Sequence, residues 1–406
     1  MKDSGIEWIG EIPEGWSKNK VIRLFDIIGS GTTPKNITSD FPVVNWIQSG
    51  DITGSFMPAC KNVISANLLS QYSALKVYPA PFIIIAMYGA SVGNASISLI
   101  DGCVNQACCV LSSPSCNLHY AFYVIKSTQS YLVRKAVGGG QPNISQETIK
   151  QLWLPLPPLS TQDIIVRNLD ATCSRIDDLL TSVHASIEEY KKFKQAVITQ
   201  AVTTLNCPNV KLKYLMDIIV DCPHETPIYT FTGNYLVIRT SDQSLASLRC
   251  DEHMYRLDEA EYKKRTRRLT LDKDDIVYGR EGSWGLACLV PQSNKYCLGQ
   301  RVMQFRCNTR LLYPKYAMYA LNSETVYMQG ALDTIGSTAP HVNISTICNY
   351  LLPVPALTEQ KEITSYLDAK CAEIDRLIAK KEQLVKELES YKKSLIYEVV
   401  TGKREV

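Results

Sequence analysis

The sequence predicts an α+β fold in which two strand-rich globular domains are separated by a pair of long antiparallel coiled-coil helices. Three observations support this prediction: the chain repeats itself with a period near half its length, each repeat contains a long segment without proline or glycine, and apolar strand patterns lie between those segments. A chain of 406 residues is also too long for one ordinary core. The predicted boundaries are 1–152 for the first globular domain, 153–205 for the first long helix, 206–350 for the second globular domain and 351–406 for the second long helix.

The internal repeat is the strongest signal in the chain. Leu154–Gln162 reads LPLPPLSTQ, and Leu352–Gln360 reads LPVPALTEQ, 198 positions later. The same offset continues without a gap for about forty residues, and weaker matches upstream extend the duplication to the globular domains. The helical segments resemble each other far more than the globular domains do. This asymmetry indicates a common frame that carries two different binding domains.

Each repeated segment predicts one long helix. The proline-rich entries cannot continue a helix, so Ser160 and Thr358 are predicted as N-caps. About 40 residues at 1.5 Å each give a length of about 60 Å, which is too long for a compact core, so the helices should pair as a coiled coil. Because both copies lie in one chain, pairing within the chain is favoured over self-association. A neighbouring apolar stripe, with Leu179 and Phe193 in the first helix, is expected to widen the face. The predicted contacts of the helix pair, or of docked subunits, are Leu169, Ile176, Leu180, Tyr190, Leu367, Ile374, Ile378 and Leu388.

Corresponding strands and loops are predicted in the two globular domains. Phe82–Ile85 and Ile276–Tyr278 are typical of buried strands, and each ends at a Tyr-Gly pair. A glycine-rich loop follows each strand, and a strand with a glutamine, Gln106 or Gln300, comes next. The first loop has Ala90 where the second has Arg280.

Composition excludes several classes of protein. The formal net charge is only +3, which excludes a polycation but not a nucleic-acid reader with local patches. There is no apolar run of 18 residues and no apolar signal region, so we expect a cytoplasmic protein with no membrane contact. The 14 cysteines contain no C-x-x-C pair and are expected to be reduced, mostly buried thiols, with no metal site.

No catalytic constellation is present in the sequence. The chain lacks a nucleotide-binding G-x-x-x-x-G-K-[ST] loop, an H-E-x-x-H helix and a G-x-S-x-G elbow. Glu359 and Lys361 have the spacing of a nuclease site, but helix capping and solvation explain them better. We therefore expect no catalytic residue and no enzyme activity of the chain on its own.

A basic run favours nucleic-acid binding. Residues 263–268 place five cations within six residues and are predicted to contact phosphates, although a solvated surface loop is the simpler interpretation. The cations are Lys263, Lys264, Arg265, Arg267 and Arg268.

With the repeat established, the chain resembles the DNA-specificity subunits of type I restriction–modification systems. The resemblance rests on the opening SGIEWIGEIPEGW at 4–16, the LP-x-P-x-L-x-x-Q entries, the Leu-Asp and Ile-Asp heptads, and EVVTGK at 398–403. It spans the whole chain. It implies two target-recognition domains, each reading one half of a split double-stranded DNA target, held apart by two antiparallel helices that dock two methyltransferase subunits.

The same resemblance implies where the missing chemistry resides. S-adenosylmethionine and ATP are expected on the methyltransferase and the restriction/translocase subunits, with no cofactor on this chain. It also implies DNA contacts in the loops 88–94 and 278–284 and near 138–141 and 336–338. Because Ala90 stands in the first loop where Arg280 stands in the second, the two halves should read different bases. The predicted DNA-binding residues, besides the basic run, are Tyr88, Ser91, Asn94, Gln106, Gln141, Tyr278, Arg280, Ser283, Trp284, Gln300 and Arg301.

Three alternatives stay open at this point. A self-associating coiled-coil scaffold would need no basic patch and should ignore DNA. A cysteine or metal enzyme would need clustered ligands, which the spacing does not show. An inactive or antirestriction relative would keep the architecture without the activity.

Overall fold

A computed structural model describes residues 1–113, 117–138, 141–204, 206–268, 270–282, 284–333 and 341–406. The chain forms two compact units. The first unit contains Met1–Ser182 and Leu384–Val406, and the second contains Val183–Gln383. Each unit therefore combines one globular domain with a stretch of both long helices. The mixture of strands and helices confirms the predicted α+β class.

The first unit is built from short strands and short helices that precede the first long helix. Its strands are Lys2–Ile6, Gly10–Ile12, Ser17–Lys20, Ile27–Gly29, Val43–Ile47, Phe56–Met57, Asn62–Ser65, Phe82–Ala86, Ala95–Ser98, Cys103–Val104, Cys108–Ser112 and Trp153–Leu156. Its helical segments are Val21–Leu24, Ser49–Asp51, Leu68–Gln71, Gly89–Ser91, Leu118–Ser127, Gln129–Lys135 and Gln146–Lys150.

The second unit repeats this arrangement with fewer strands. Its strands are Asn209–Lys211, Met216–Asp221, Tyr235–Ile238, Gln243–Ser244, Ser247–Leu248, Arg256–Leu257, Ile276–Gly279, Ala287–Leu289, Tyr296–Leu298, Val302–Cys307 and Leu351–Pro353. Its helical segments are Leu212–Tyr214, Thr240–Asp242, Glu259–Arg265, Pro314–Leu321, Glu324–Ala331 and Ile344–Cys348.

The larger sheets of the two units have corresponding strand orders. In the first unit, the order is Ile27–Gly29, Cys108–Ser112, Phe82–Ala86, Ala95–Ser98 and Phe56–Met57. In the second unit, the order is Met216–Asp221, Val302–Cys307, Ile276–Gly279 and Ala287–Leu289. A three-stranded sheet accompanies each of them. The globular domains are thus duplicated in topology even where their sequences have diverged.

The central strand of each larger sheet is buried on both faces. Ile83 and Ile85 belong to one core cluster, whereas Phe82 and Ile84 belong to another, as the alternation of side chains along a strand requires. In the second unit, Tyr278 packs in one cluster and its neighbour Val277 in the other. Burial on two faces explains why these strands are continuous apolar runs rather than alternating ones.

The two long helices are Leu159–Thr203 and Leu357–Val400. Leu169 and Ile176 are buried in the first unit, and Leu367 is buried in the second, together with Ile374. Leu180, Tyr190, Ile378 and Leu388 are half-buried. In the second unit, Lys194 pairs with Asp375 and the ammonium of Lys381 lies 5.6 Å from the Tyr190 ring centre. The partner number rises as the residue number falls, so these stretches run antiparallel, as predicted.

The two long helices form equivalent ion pairs in the two units, as expected for a duplicated sequence. In the second unit, Lys194 Nζ lies 2.9 Å from both carboxylate oxygens of Asp375. In the first unit, Lys392 Nζ lies 2.5 and 2.6 Å from those of Asp177. Lys392 and Asp375 are the repeat partners of Lys194 and Asp177. The same contact is therefore made twice, once in each unit, with the two helices exchanging roles.

Two details of the helix prediction are wrong. The helices begin at Leu159 and Leu357, so Ser160 and Thr358 lie inside the first turn and are not N-caps. The buried side-chain amides of Gln162 and Gln360 instead donate to the carbonyls of Pro157 and Pro355 at 2.9 Å, which fixes each helix to its proline-rich entry. The second stripe does not widen the buried face uniformly, because several of its apolar residues are exposed. These are Leu179, Phe193, Leu377, Leu384 and Tyr391.

The 13 cysteines within the described residues are all free of disulfides, and most are buried. Burial raises the pKa of Cys288 and of Cys297 to about 12, so these thiols are protonated at neutral pH. This confirms the expectation that the thiols are mostly buried, for the part of the chain that the structure covers. Over the same residues, no group of three His, Cys, Asp or Glu side chains is arranged to hold a metal ion. No described helix is both long enough and apolar enough to span a membrane.

Candidate nucleic-acid interface

In the first unit, three exposed polar side chains meet at one end of the larger sheet. Met87 N donates to the Ala107 carbonyl at 2.8 Å. Tyr88 follows Met87 and Gln106 precedes Ala107, so these two residues lie at the same end of the paired strands. Gly89 N donates to the Pro142 carbonyl at 2.9 Å, which brings the segment around Gln141 to the same end. Tyr88, Gln106 and Gln141 are all exposed. The structure therefore groups these three predicted contacts on one surface.

Ser91 and Asn94 hold the first loop in shape. Gly89–Ser91 is a short helical turn, and the Ser91 hydroxyl donates to the Tyr88 carbonyl at 3.3 Å. The side-chain oxygen of Asn94 accepts from the amide of Gln129 in the neighbouring helix. Both side chains are only half-buried, but their polar groups are engaged within the unit. They position Tyr88 rather than extend the polar surface.

Tyr278 is a core residue, and its prediction as a DNA contact is wrong. Its side chain is fully buried, packs against Phe305, and donates a hydrogen bond to the Tyr350 hydroxyl at 3.4 Å. Burial raises its pKa far above the usual value for tyrosine. Tyr278 lies within the buried strand rather than at its exposed end, because this strand continues through Gly279.

Arg280 is largely buried, which argues against its prediction as a DNA contact. Its guanidinium forms an ion pair with Glu281, and its Nε lies 3.3 Å from a carboxylate oxygen of Asp221. Its backbone N–H donates to the Arg301 carbonyl at 2.9 Å. Arg280 therefore joins three strand ends, and two carboxylates offset its charge.

Trp284 stacks on Tyr327, with ring centres 4.4 Å apart and an interplanar angle of 6°. The indole is half-buried by this contact and by the helix around Gly330, where an added Cβ would lie 2.8 Å from the ring. One face of the indole is therefore already occupied within the unit. Ser283 lies outside the described residues, as does the segment 336–338.

Gln106 and Gln300 each form a hydrogen bond with a threonine of the corresponding loop, with donor and acceptor exchanged between the units. Thr33 Oγ1 donates to the side-chain oxygen of Gln106 at 2.6 Å, and the Gln300 amide donates to Thr226 Oγ1 at 3.2 Å. Both threonines precede a proline, and both lie in the loop after the first strand of the larger sheet. The structure thus places the two predicted glutamines at equivalent sheet ends.

Arg301 follows Gln300 and is exposed. Its backbone has a φ of 69°, and its carbonyl accepts from the backbone N–H groups of Arg280 and Glu281 at 2.9 and 3.3 Å. A non-glycine residue in this left-handed region is held there by its surroundings. The carbonyl is fixed, and the guanidinium is left at the surface beside Gln300.

The basic run divides into structural and exposed cations. Arg265 is buried, and its guanidinium donates to the carbonyls of Glu225 at 2.9 Å and Leu298 at 3.0 Å, so its prediction as a phosphate contact is wrong. Lys263 pairs with Glu259 at 2.7 Å, and Lys264 pairs with Glu225 at 2.8 Å.

Arg267 and Arg268 are the exposed members of the run that lack an ion-pair partner among the described residues. They follow the helix Glu259–Arg265, which Arg265 fastens to the strand leading into Gln300. Arg267 and Arg268 therefore come directly after a helix that is fixed to the strand before Gln300.

Sequence reasoning missed a buried carboxylate in each unit. Asp51 accepts from the backbone N–H of Gln48 at 2.9 Å, and Asp242 accepts from that of Arg239 at 3.0 Å. These turns lie beside the site, because Asn105 N donates to the Ile47 carbonyl and Gly299 N donates to the Ile238 carbonyl. The repeated apolar-x-x-x-Asp pattern of 47–51 and 238–242 is the signal that could have shown them.

The chemistry of the turns differs between the units. Asp242 also binds the Arg239 guanidinium at 2.8 and 2.9 Å and Arg249 at 3.1 Å, and Arg239 lies 3.8 Å from the Tyr255 ring centre. Gln48 occupies the corresponding place in the first unit. A neutral side chain therefore stands where the second unit has a cation.

The family model described as the type I restriction modification DNA specificity domain matches residues 13–189 and 221–388. The chain belongs to this family. The two matched segments correspond to the two copies of the duplicated fold. This membership shows a DNA-recognition specificity subunit that works within a restriction–modification complex.

Individual relatives and solved structures agree with the family. The chain is similar to the type I restriction enzyme MjaVIII specificity subunit of Methanocaldococcus jannaschii, with 25% identity over 70% of this chain and 69% of that protein. It is 22% identical to the EcoBI specificity subunit of Escherichia coli over 84% of this chain and 78% of that one.

Two solved structures share the fold at 16% identity. A chain from a study of complex assembly and conformational transition in the type I R-M system superposes with a TM-score of 0.72, covering 97% of this chain and all of that chain. The HsdS subunit of Thermoanaerobacter tengcongensis superposes with a TM-score of 0.50, covering 97% and 98%.

Proposed function

We propose that this specificity subunit reads a bipartite double-stranded DNA target, with one half-site for each unit, and docks two methyltransferase subunits on its long helices. Restriction/translocase subunits join the same assembly. The observation that carries the proposal is the duplicated sheet end, where Gln106 and Gln300 are held by Thr33 and Thr226. Two equivalent sites with different neighbours are suited to two half-sites of different sequence.

The polar side chains at these sheet ends supply groups that can read base edges. A glutamine amide can bond both N6 and N7 of adenine, and an arginine can bond both O6 and N7 of guanine in the major groove. Tyr88, Gln106 and Gln141 give the first unit a neutral hydrogen-bonding surface. Gln300 and Arg301 give the second unit a basic one, with Arg267 and Arg268 suited to phosphates. These groups bind and orient DNA and carry out no bond-breaking step.

The exposed apolar residues of the long helices support docking of protein subunits. Leu179 and Tyr391 in the first unit, and Phe193 and Leu377 in the second, are exposed although they lie on helices. Apolar and aromatic side chains of this kind are typical of protein interfaces. S-adenosylmethionine and ATP would be bound by the docked subunits, which perform adenine methylation and DNA translocation in the cytoplasm.

Selection from random double-stranded DNA tests the proposal. The complex of this chain with its methyltransferase subunits should enrich two short sequences separated by a gap of fixed length and random composition. The subunits without this chain serve as the control and should enrich nothing. A single continuous motif, or no motif at all, would contradict a two-part target.

A methylation assay separates the roles of the subunits. The purified chain alone, incubated with the selected DNA and S-adenosylmethionine, should transfer no methyl groups, whereas the complex should methylate adenine. Methylation by the chain alone would contradict the non-catalytic role.

A further inference from the structure

Each unit presents an exposed phenylalanine on the loop after the first strand of its larger sheet. In the first unit this loop joins Ile27–Gly29 to Val43–Ile47, and Phe41 is 89% exposed within it. In the second unit it joins Met216–Asp221 to Tyr235–Ile238, and Phe231 is fully exposed. An isoleucine on each loop, Ile37 or Ile228, is exposed as well. We call these segments the first and the second wedge loop.

Both wedge loops are anchored next to the phenylalanine. In the first loop, the carbonyls of Thr38 and Pro42 accept from the backbone N–H groups of Ser65 and Ala66 at 2.7 and 2.8 Å. In the second loop, Thr230 N donates to the Arg256 carbonyl at 2.9 Å, directly before Phe231. The exposed rings are therefore carried by backbone that is fixed to a neighbouring strand.

The wedge loops also hold the polar site. Thr33 in the first loop bonds Gln106, and Thr226 in the second loop bonds Gln300. Lys264, in the helix that precedes Arg267 and Arg268, forms an ion pair with Glu225 of the second loop. This ion pair joins the second loop to that helix. A ligand that contacts the glutamines therefore also lies against the loops that carry the exposed rings.

A single exposed phenylalanine is ordinary on a protein surface. Two of them lie on corresponding, anchored loops of globular domains that otherwise share little sequence, which points to a shared role. Proteins that deform DNA use apolar side chains, phenylalanine among them, as wedges that enter a base step and partly unstack it.

We propose that Phe41 and Phe231 are DNA wedges, each inserting at a base step at the edge of the half-site that its own unit reads. This inference rests on the proposed function, because it needs DNA at the glutamine sites. Insertion would bury the ring on the face of a base. Flexible pyrimidine–purine steps unstack most readily, so the wedges would add specificity at positions that no polar group contacts.

Phe41→Ala and Phe231→Ala, made separately in the complex with its methyltransferase subunits, test the proposal. Binding to the target should weaken by roughly 5- to 150-fold for each variant, the range expected when one base–aromatic stacking interaction is removed. Phe→Leu variants should retain part of the affinity. Leu99→Ala and Tyr214→Ala remove other exposed apolar side chains and serve as matched controls, one in each unit.

Fluorescence of 2-aminopurine, placed at adenine positions in and beside both half-sites, locates the insertion. The wild-type complex should raise the fluorescence at one step per half-site, in addition to any signal at the adenine that is methylated. Phe41→Ala should abolish the wedge signal in one half-site only, and Phe231→Ala in the other. The signal at the methylated adenine should persist.

Three results separate the outcomes. Unchanged affinity and unchanged fluorescence in both variants would overturn the wedge assignment while leaving the proposed function in place. Weaker assembly with the methyltransferase subunits in the absence of DNA would show that the loops contact protein, and would also overturn it. Absence of any target preference in the wild-type complex would contradict the proposed function itself.

Discussion

The first and the second unit present the same framework with different chemistry on it. In both, a threonine holds a glutamine at the end of the larger sheet and a buried aspartate closes the turn beside it. In the first unit the neighbouring side chain is the neutral Gln48, whereas in the second it is Arg239, paired with Asp242. Because the framework is built from backbone and buried polar contacts, the surface side chains can change while the loops stay in place.

The difference extends to the surface around the glutamines. The first unit exposes Tyr88 and Gln141 there, and both are neutral. The second unit exposes Arg301, and it also exposes Arg267 and Arg268, which follow the helix Glu259–Arg265 that Arg265 bonds to the strand before Gln300. We therefore expect affinity for phosphates to be concentrated in the second unit, whereas the first depends more on hydrogen bonds to bases.

Removal of the two buried aspartates should give the largest difference between the units. Asp242→Ala should lower the free energy of unfolding of the second unit by about 3 kcal/mol, because Arg239 and Arg249 lose their common partner. Asp51→Ala should lower that of the first unit by only about 1–2 kcal/mol, because only backbone N–H groups lose an acceptor. Chemical denaturation, followed for each variant, measures both values.

Asp242→Asn and Asp51→Asn are the matched controls. Asp51 accepts from Gln48 N–H with one oxygen and from Lys61 N–H with the other, so the single amide oxygen of Asp51→Asn keeps one of the two bonds and this variant should be less destabilised than Asp51→Ala. Asp242→Asn should remain destabilised by most of the amount lost in Asp242→Ala, because it loses the charge that both arginines bind. Equal effects of the two alanine variants would show that the ion pair adds no stability to the second turn.

The helices and central strands could be predicted because repetition and burial leave clear patterns. Because the same segment without proline or glycine occurs twice, each copy supports the prediction of a helix in the other. A continuous apolar run such as Phe82–Ile85 has to be buried on both faces. The direction in which a single side chain points could not be predicted in this way. Tyr278, Arg265 and Arg280 follow local patterns that are typical of binding loops, yet tertiary contacts turn each of them inward.

The parts of the site that were missed depend on contacts between distant segments. The bond of Gln106 to Thr33 joins residues 73 positions apart, and no local pattern indicates it. Phe41 and Phe231 were missed for the opposite reason. A phenylalanine in a sequence indicates burial, and only the structure shows that these two rings are left in solvent.

Arg301→Ala should alter recognition in one half-site only. If its guanidinium bonds guanine, discrimination at one base pair should relax by about 1–3 kcal/mol, with the other half-site unchanged. Gln106→Ala should do the same in the opposite half-site. Sequencing of the methylated sites in cells that express each variant gives the comparison. Arg301→Lys keeps the charge without the paired donors, and should therefore behave like Arg301→Ala in specificity. Relaxation in both half-sites by one variant would show that the units do not read independently.

Removal of the two free arginines should have the smallest effect on specificity and a uniform effect on affinity. Arg267→Ala with Arg268→Ala should reduce the slope of log K against log salt by roughly 0.9 for each phosphate that the variant no longer neutralises, with the same preference among sequences. Lys263→Ala with Lys264→Ala is the matched control, because both lysines already have a carboxylate partner and should contribute less to the slope. Binding titrations over a range of salt concentrations measure the two slopes. A larger change in the lysine variant would mean that DNA displaces Glu259 and Glu225 from these pairs, and that the whole basic helix, rather than its end, faces the phosphates.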